Sequence, residues 1–149
     1  MNSQEIKTLY KNHVLLSGKM AGETKALRGN VVAVVFFIND STSSWDEKSK
    51  TAYRKRHESA MKILSGTAKK NNVPLILRSA FGELNIPFEC TNSNWPQWVA
   101  SAMKNYNQLN LANYQAYYKK YYHCNEAPVI FAFNKQFRSY ACAASVWCS

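Results

Sequence analysis

The stretch VVAVVFFIND, residues 31–40, decides the fold. β-branched and aromatic side chains follow one another with no polar interruption until Asn39 and Asp40. A half-buried strand alternates apolar and polar residues. An unbroken apolar run closed by turn residues instead predicts a strand covered on both faces, as in a parallel sheet.

Downstream, STSSWDEKSK predicts the start of a long helix. Ser44 and Glu47 have capping-box spacing, in which the serine accepts from a free backbone N–H and the glutamate reaches back. Tyr53, His57, Ala60, Met61, Leu64 and Ala68 then recur at helical spacing, with basic residues on the other side. Asn71–Asn72 before Val73–Pro74 stops this helix. VPLILRSAF, residues 73–81, predicts a second strand and Gly82 a turn. IPFECT, 86–91, predicts a short strand. A helix capped by Ser93 or Asn94 runs through Trp98, Ala102 and Tyr106, with Pro96 in its first turn. Residues 109–125 continue helically, Asn110 being a candidate cap. APVIFAFN, 127–134, is the clearest late strand. NKQF reverses the chain into RSYACAAS, 138–145.

Strand–helix–strand order calls for parallel pairing, and the tight final reversal for an antiparallel neighbour. The expected fold is therefore a single α/β domain, residues 29–149, after a leading polar, partly helical segment, 1–28. Its sheet is mixed and mostly parallel, with four or five strands and a terminal antiparallel edge strand. A chain of 149 residues suits one such domain. Its hydrophobic content of 46% supports a packed core rather than disorder.

The formal net charge of +10 favours an anionic partner. The basic residues are scattered, in groups such as Arg54–Lys55–Arg56, Lys69–Lys70 and Lys119–Lys120, and read as solvated helix faces. Cys90, Cys124, Cys142 and Cys148 form no C-x-x-C pair and fit no common zinc spacing. No apolar stretch has the length of a bilayer span, and residues 1–19 lack the apolar core of a signal peptide. These features read as a cytoplasmic protein with reduced thiols. SGKMAG, 17–22, lacks the glycine and hydroxyl positions of a phosphate loop.

Chemistry-bearing residues are sparse. His13, His57 and His123 form no spaced pair, and His57 falls on the apolar stripe, as a core histidine would. His123 and Cys124 are sequence neighbours, which does not point them at each other as a nucleophile and its base require. Asp40 ends the buried strand, where open α/β sheets place ligands; as a turn residue it needs no ligand. Tyr114, Tyr117, Tyr118, Tyr121 and Tyr122, with Lys119–Lys120, could stack nucleobases, or could cover the sheet as a packed amphipathic helix.

The order "buried strand, Ser-Ser-Trp, long helix", followed by APVIFAFN, a reversal and RSYACAAS, resembles the amino-terminal half of a metzincin-like zinc metallopeptidase domain, similar to bacterial matrixin-like proteins. The resemblance spans roughly residues 30–145. It implies that the terminal strand holds an extended peptide by backbone hydrogen bonds, which would assign Arg138, Ser139, Tyr140, Ala141, Cys142 and Ala143 to substrate binding. It also implies a zinc helix, His-Glu-x-x-His, further on. That motif is missing: the one His-Glu pair, His57–Glu58, has Met61 where the second histidine belongs. No catalytic or metal residue carries over, so the chain itself holds no cofactor, zinc belonging to the complete family domain. FAFNKQFRSYACAASVWCS, 131–149, then reads as the core strand and substrate edge of a fold that continues.

The expectation is an incomplete or degenerate peptidase-like domain that binds a peptide along its edge strand, or pairs with a complementary carboxyl-terminal half, without a membrane. Because such peptidases are often exported, loss of a leader would change the compartment. Two alternatives remain: a Rossmann-like phosphate or nucleotide binder using Asp40, and a basic single-stranded nucleic-acid-binding module using helix 114–122.

Overall fold

A computed structural model describes residues 27–105, 111–135, 141–143 and 146–148. Residues 28–138 form one compact unit. Its elements are β1 (Gly29–Asn39), α1 (Glu47–Lys70), β2 (Leu75–Asn85), α2 (Trp95–Lys104), α3 (Leu111–Tyr122) and β3 (Val129–Phe133). The sheet order is β2-β1-β3, parallel throughout, with β1 central. Val31 to Ile38 are all buried, so the strand covered on both faces is present. The class is α/β, as the apolar run predicts.

The parity of β1 separates two layers. Val32, Val34, Phe36 and Ile38 pack with Trp98, Ala102 and Met103 of α2 and Tyr114 of α3. Val35 and Phe37 face the other way, against Trp45 and Tyr53. Phe37 meets Trp45 at 4.9 Å and Tyr53 at 5.4 Å between ring centroids. Helix α1 thus covers one face of the sheet, and α2 with α3 cover the other.

Several local expectations change. Helix α1 is capped by Asp46, which accepts from the Ser49 N–H at 2.7 Å, and not by a Ser44–Glu47 box. An aspartate one residue before the helix satisfies a free N–H directly. Strand β2 runs through Gly82 to Asn85, because the register with β1 is continuous from Gly29↔Leu75 to Asn39↔Asn85. Asn39 Nδ2 extends that hold by donating to Glu83 Oε1 (2.8 Å) and Asn85 Oδ1 (3.0 Å). The expected strand at 86–91 is absent: the Ile86 N–H closes the ladder on Asn39 O, and Pro87 has no N–H with which to continue it.

The α1 stripe is also narrower than its sequence pattern. His57 is buried, but Ala60 and Leu64 are exposed, and Ile63 is 69% exposed. The helix ends at Asn71 as expected, with Asn72 in the left-handed region at φ 54°.

Among the described residues the main sheet has three strands rather than four or five. The late strand β4 (Ala141–Ala143) pairs antiparallel with β5 (Val146–Cys148) in a two-stranded ladder, and the expected reversal after Asn134 runs into residues outside the description. The expected run of α2 through Tyr106, the candidate cap Asn110 and the leading segment before residue 27 lie outside the described residues.

Candidate functional site

In a parallel sheet with helices on both faces, ligands are expected beyond the carboxyl ends of the strands. Three segments meet there: the loop after β1, the loop after β2, and residues Asn134–Lys135 after β3. Asp40 joins them. Its carboxylate has no solvent exposure. Thr42 and Ser43 donate to Oδ1 through their N–H groups, at 3.0 and 2.8 Å, and through their hydroxyls, at 3.1 and 3.0 Å. Oδ2 accepts from the Cys90 N–H at 2.8 Å and from Lys135 Nζ. Lys135 Nζ also reaches Thr42 Oγ1 at 3.0 Å. Burial alone would raise the Asp40 pKa. The Lys135 ammonium, the Cys90 and Thr42 N–H groups and the Ser43 hydroxyl outweigh it and hold the pKa well below the usual carboxylate range.

This arrangement is a clasp. Both oxygens of Asp40 are engaged by protein donors. The loop's own N–H groups are spent internally as well: Asp40 N–H donates to Ser43 O at 2.9 Å, and Trp45 N–H to Asn39 Oδ1 at 2.7 Å. A phosphate cradle needs such groups pointing outward at the ligand. The turn role of Asp40 therefore accounts for its observed contacts.

The adjacent polar cluster is also internal. Lys50 is buried and donates to Glu83 at 2.6 Å and Glu47 at 3.0 Å. His57 packs with Tyr53 and Phe81 and lies 2.6 Å from Ser79 Oγ through Nε2. Burial lowers its pKa. It is the core histidine its stripe position predicts, while neighbouring Glu58 pairs outward with Lys62 at 3.0 Å. Among the described residues no cluster of three or more histidine, cysteine or carboxylate side chains could hold a metal ion.

The tyrosine helix divides. Tyr114 is fully buried, and Tyr118 and Tyr122 pack against the core. Tyr117 and Tyr121 are exposed and stack on each other at 6.0 Å.

The open feature is the outer edge of β2. It is the end strand of the described sheet, eleven residues long. At its two ends Gly29 N–H donates to Pro74 O and Ile86 N–H to Asn39 O. By strand periodicity, the even-numbered residues turn their peptide groups toward β1 and the odd-numbered ones turn theirs outward. Leu77, Ser79 and Phe81 thus present outward N–H and C=O groups, with their side chains toward α1. There they line a groove of about 300 Å³ with Arg54, His57, Glu58 and Met61. On the other face Ile76 is 61% exposed.

Of the residues the sequence assigned to substrate binding, Arg138, Ser139 and Tyr140 lie outside the described residues. Ala141, Cys142 and Ala143 form β4, whose side chains are likewise outside the description. The sequence offers a partial signal for the β2 edge, since LILRSAFGELN carries polar residues a fully covered strand would lack. For the Lys135–Asp40 contact, 95 residues apart in sequence, it offers none.

No helix among the described residues is long and apolar enough to cross a membrane. Comparison of the chain with family models, with curated proteins and with solved structures found no match.

Proposed function

We propose that this domain is a non-catalytic binding module that receives an extended peptide by strand addition along β2. One observation supports it above others: an eleven-residue edge strand, unpartnered on its outer side among the described residues, lies beside a groove able to take a side chain. In strand addition, backbone hydrogen bonds supply affinity and pockets for alternate side chains supply specificity. A long exposed edge is otherwise an aggregation hazard.

The peptide-binding role that the metzincin-like resemblance gives to Arg138–Ala143 is thereby carried to β2. An added antiparallel segment would bring the three-stranded sheet to four strands, within the four or five expected of the family-like fold. The proposal keeps the degenerate zinc-peptidase-like ancestry, without a metal centre in this chain; zinc-dependent proteolysis by the chain would contradict it.

A phosphate-binding role for Asp40 would require a ligand to displace donors already placed on its carboxylate. The nucleic-acid alternative has one supporting feature, the exposed Tyr117–Tyr121 pair beside Lys120.

The test uses a phage-displayed library of random decapeptides panned on the whole chain. Ser79→Pro removes an outward N–H while leaving the β1–β2 ladder bonds, which use even-numbered residues. Ser79→Ala retains that N–H and loses the hydroxyl. Strand addition predicts that selected peptides bind the parent and Ser79→Ala but not Ser79→Pro, with matching circular dichroism for all three. Equal binding to Ser79→Pro would overturn the proposal.

A further inference from the structure

The chemistry around the β2 edge also limits what can dock there. Helix α1 carries Lys48, Lys50, Arg54, Lys55, Arg56, Lys62, Lys69 and Lys70 against two acids, Glu47 and Glu58. All of these basic residues except Lys50 are exposed. Glu58, the acid in the groove wall, is paired with Lys62.

Arg54 is different. Its guanidinium lies 5.4 and 5.5 Å from the ring centroids of Phe37 and Phe81, and it makes no ion pair with a carboxylate among the described residues. On the opposite face of β2, Arg78 donates to the Tyr122 carbonyl at 3.4 Å and makes no ion pair with a carboxylate among the described residues. The outer edge of β2 is therefore bracketed by one arginine on each face. Beside each lies apolar surface: half-buried Met61 and Leu77 with exposed Phe81 on the α1 side, and exposed Ile76 on the other.

An added strand sends successive side chains to opposite faces. In an alternating segment the acids all share one face: with the apolar residues toward α1 they meet Arg78, and in the other register they meet Arg54. A large apolar residue facing α1 would enter the groove, whose 300 Å³ holds one such side chain. A second copy of this chain fits less well, because association would bring +10 against +10.

We infer that the β2 edge takes an acidic extended segment, with aspartate or glutamate interleaved with large apolar residues. This rests on strand addition at β2, as proposed above.

The test is fluorescence anisotropy with three labelled decapeptides sharing alternate phenylalanine and valine. The interleaved positions are glutamate in one, glutamine in the second and lysine in the third. Oligothymidylate is the fourth probe. The inference predicts that the glutamate peptide binds at least about tenfold more tightly than the lysine peptide at low salt, with the gap narrowing toward 0.5 M salt. Arg54→Gln with Arg78→Gln should remove most of that gap while the glutamine peptide binds as before.

Equal binding of the glutamate, glutamine and lysine peptides would overturn the acidic-partner inference and leave strand addition standing. Binding by none of the peptides would overturn both. Preference for oligothymidylate, lost on Tyr121→Ala, would overturn the acidic-peptide inference in favour of a nucleic-acid partner.

Discussion

Lys135, two residues after β3, donates to the buried carboxylate of Asp40, one residue after β1. With the Cys90 N–H on the same oxygen, this contact ties the loops after all three strands of the sheet to one side chain. Breaking a buried ion pair from one side leaves a charge without its partner. Lys135→Met should lower unfolding free energy by about 3 kcal/mol, and Asp40→Asn by a similar amount. The double variant should lose less than the sum, because the pair is coupled. Urea unfolding of the four proteins measures this; additive losses would show that the contact carries no coupling.

Asp40 also sets an acid limit. Its pKa is lowered in the folded state, so the unfolded chain takes up the proton first. The stabilisation is complete above the ordinary carboxylate pKa of about 4 and is lost as pH falls below it. Unfolding free energy measured from pH 6 down to pH 2 should fall more steeply for the parent than for Asp40→Asn.

His57 acts at milder pH. Burial lowers its folded pKa, so the unfolded state binds the proton more readily below about 6.5. Its contribution is present above that pH and lost as pH falls toward the folded pKa. Replacement by phenylalanine, which keeps a ring between Tyr53 and Phe81, should flatten the stability profile between pH 7 and pH 5. An unchanged slope would place that titration elsewhere.

Cys90 is 1% exposed, and its pKa is pushed up to about 12 by burial and then by the Asp40 charge. A thiol so placed forms little thiolate and behaves as a small hydrophobe. Iodoacetamide followed by peptide mass spectrometry should leave Cys90 unmodified in the native protein and alkylate it in guanidinium. Rapid native labelling would show that the loop after β2 opens.

Gly29 begins β1 at φ +72°, in the left-handed region, and a Cβ there would run into Asn125 Oδ1. That oxygen accepts from the Asn30 N–H at 2.8 Å. Gly29→Ala should therefore destabilise by about 1–3 kcal/mol through backbone strain and displacement of Asn125. A thermal melt shows the effect as a lowered Tm.

The sheet's centre was legible because VVAVVFFI has one reasonable environment, burial on both faces. Strand β3 and the end of α1 at Asn71 were legible for local reasons: an apolar run, and asparagines before proline. Elements set by neighbours were less so. Gly82 reads as a turn in isolation, yet an eleven-residue register with β1 carries the strand through it. Leu64 fits a helical stripe by spacing but is 39% exposed, and Ile63 beside it 69%. The Asp40 position was visible at the end of a strand, but its saturation by Lys135 and Cys90 depends on residues 95 and 50 positions away. The β2 edge could not be recognised until the strand order was known.

Strand addition at β2 is tested most directly by residue-resolved amide exchange, followed by NMR, on the whole chain with and without a saturating selected peptide. In the free protein, the even-numbered amides of β2, bonded to β1, should exchange slowly, and those of Leu77, Ser79 and Phe81 fast. With peptide bound, protection should rise at Leu77, Ser79 and Phe81 in that alternating pattern. Protection gained elsewhere, with the odd-numbered amides of β2 unchanged, would contradict the account.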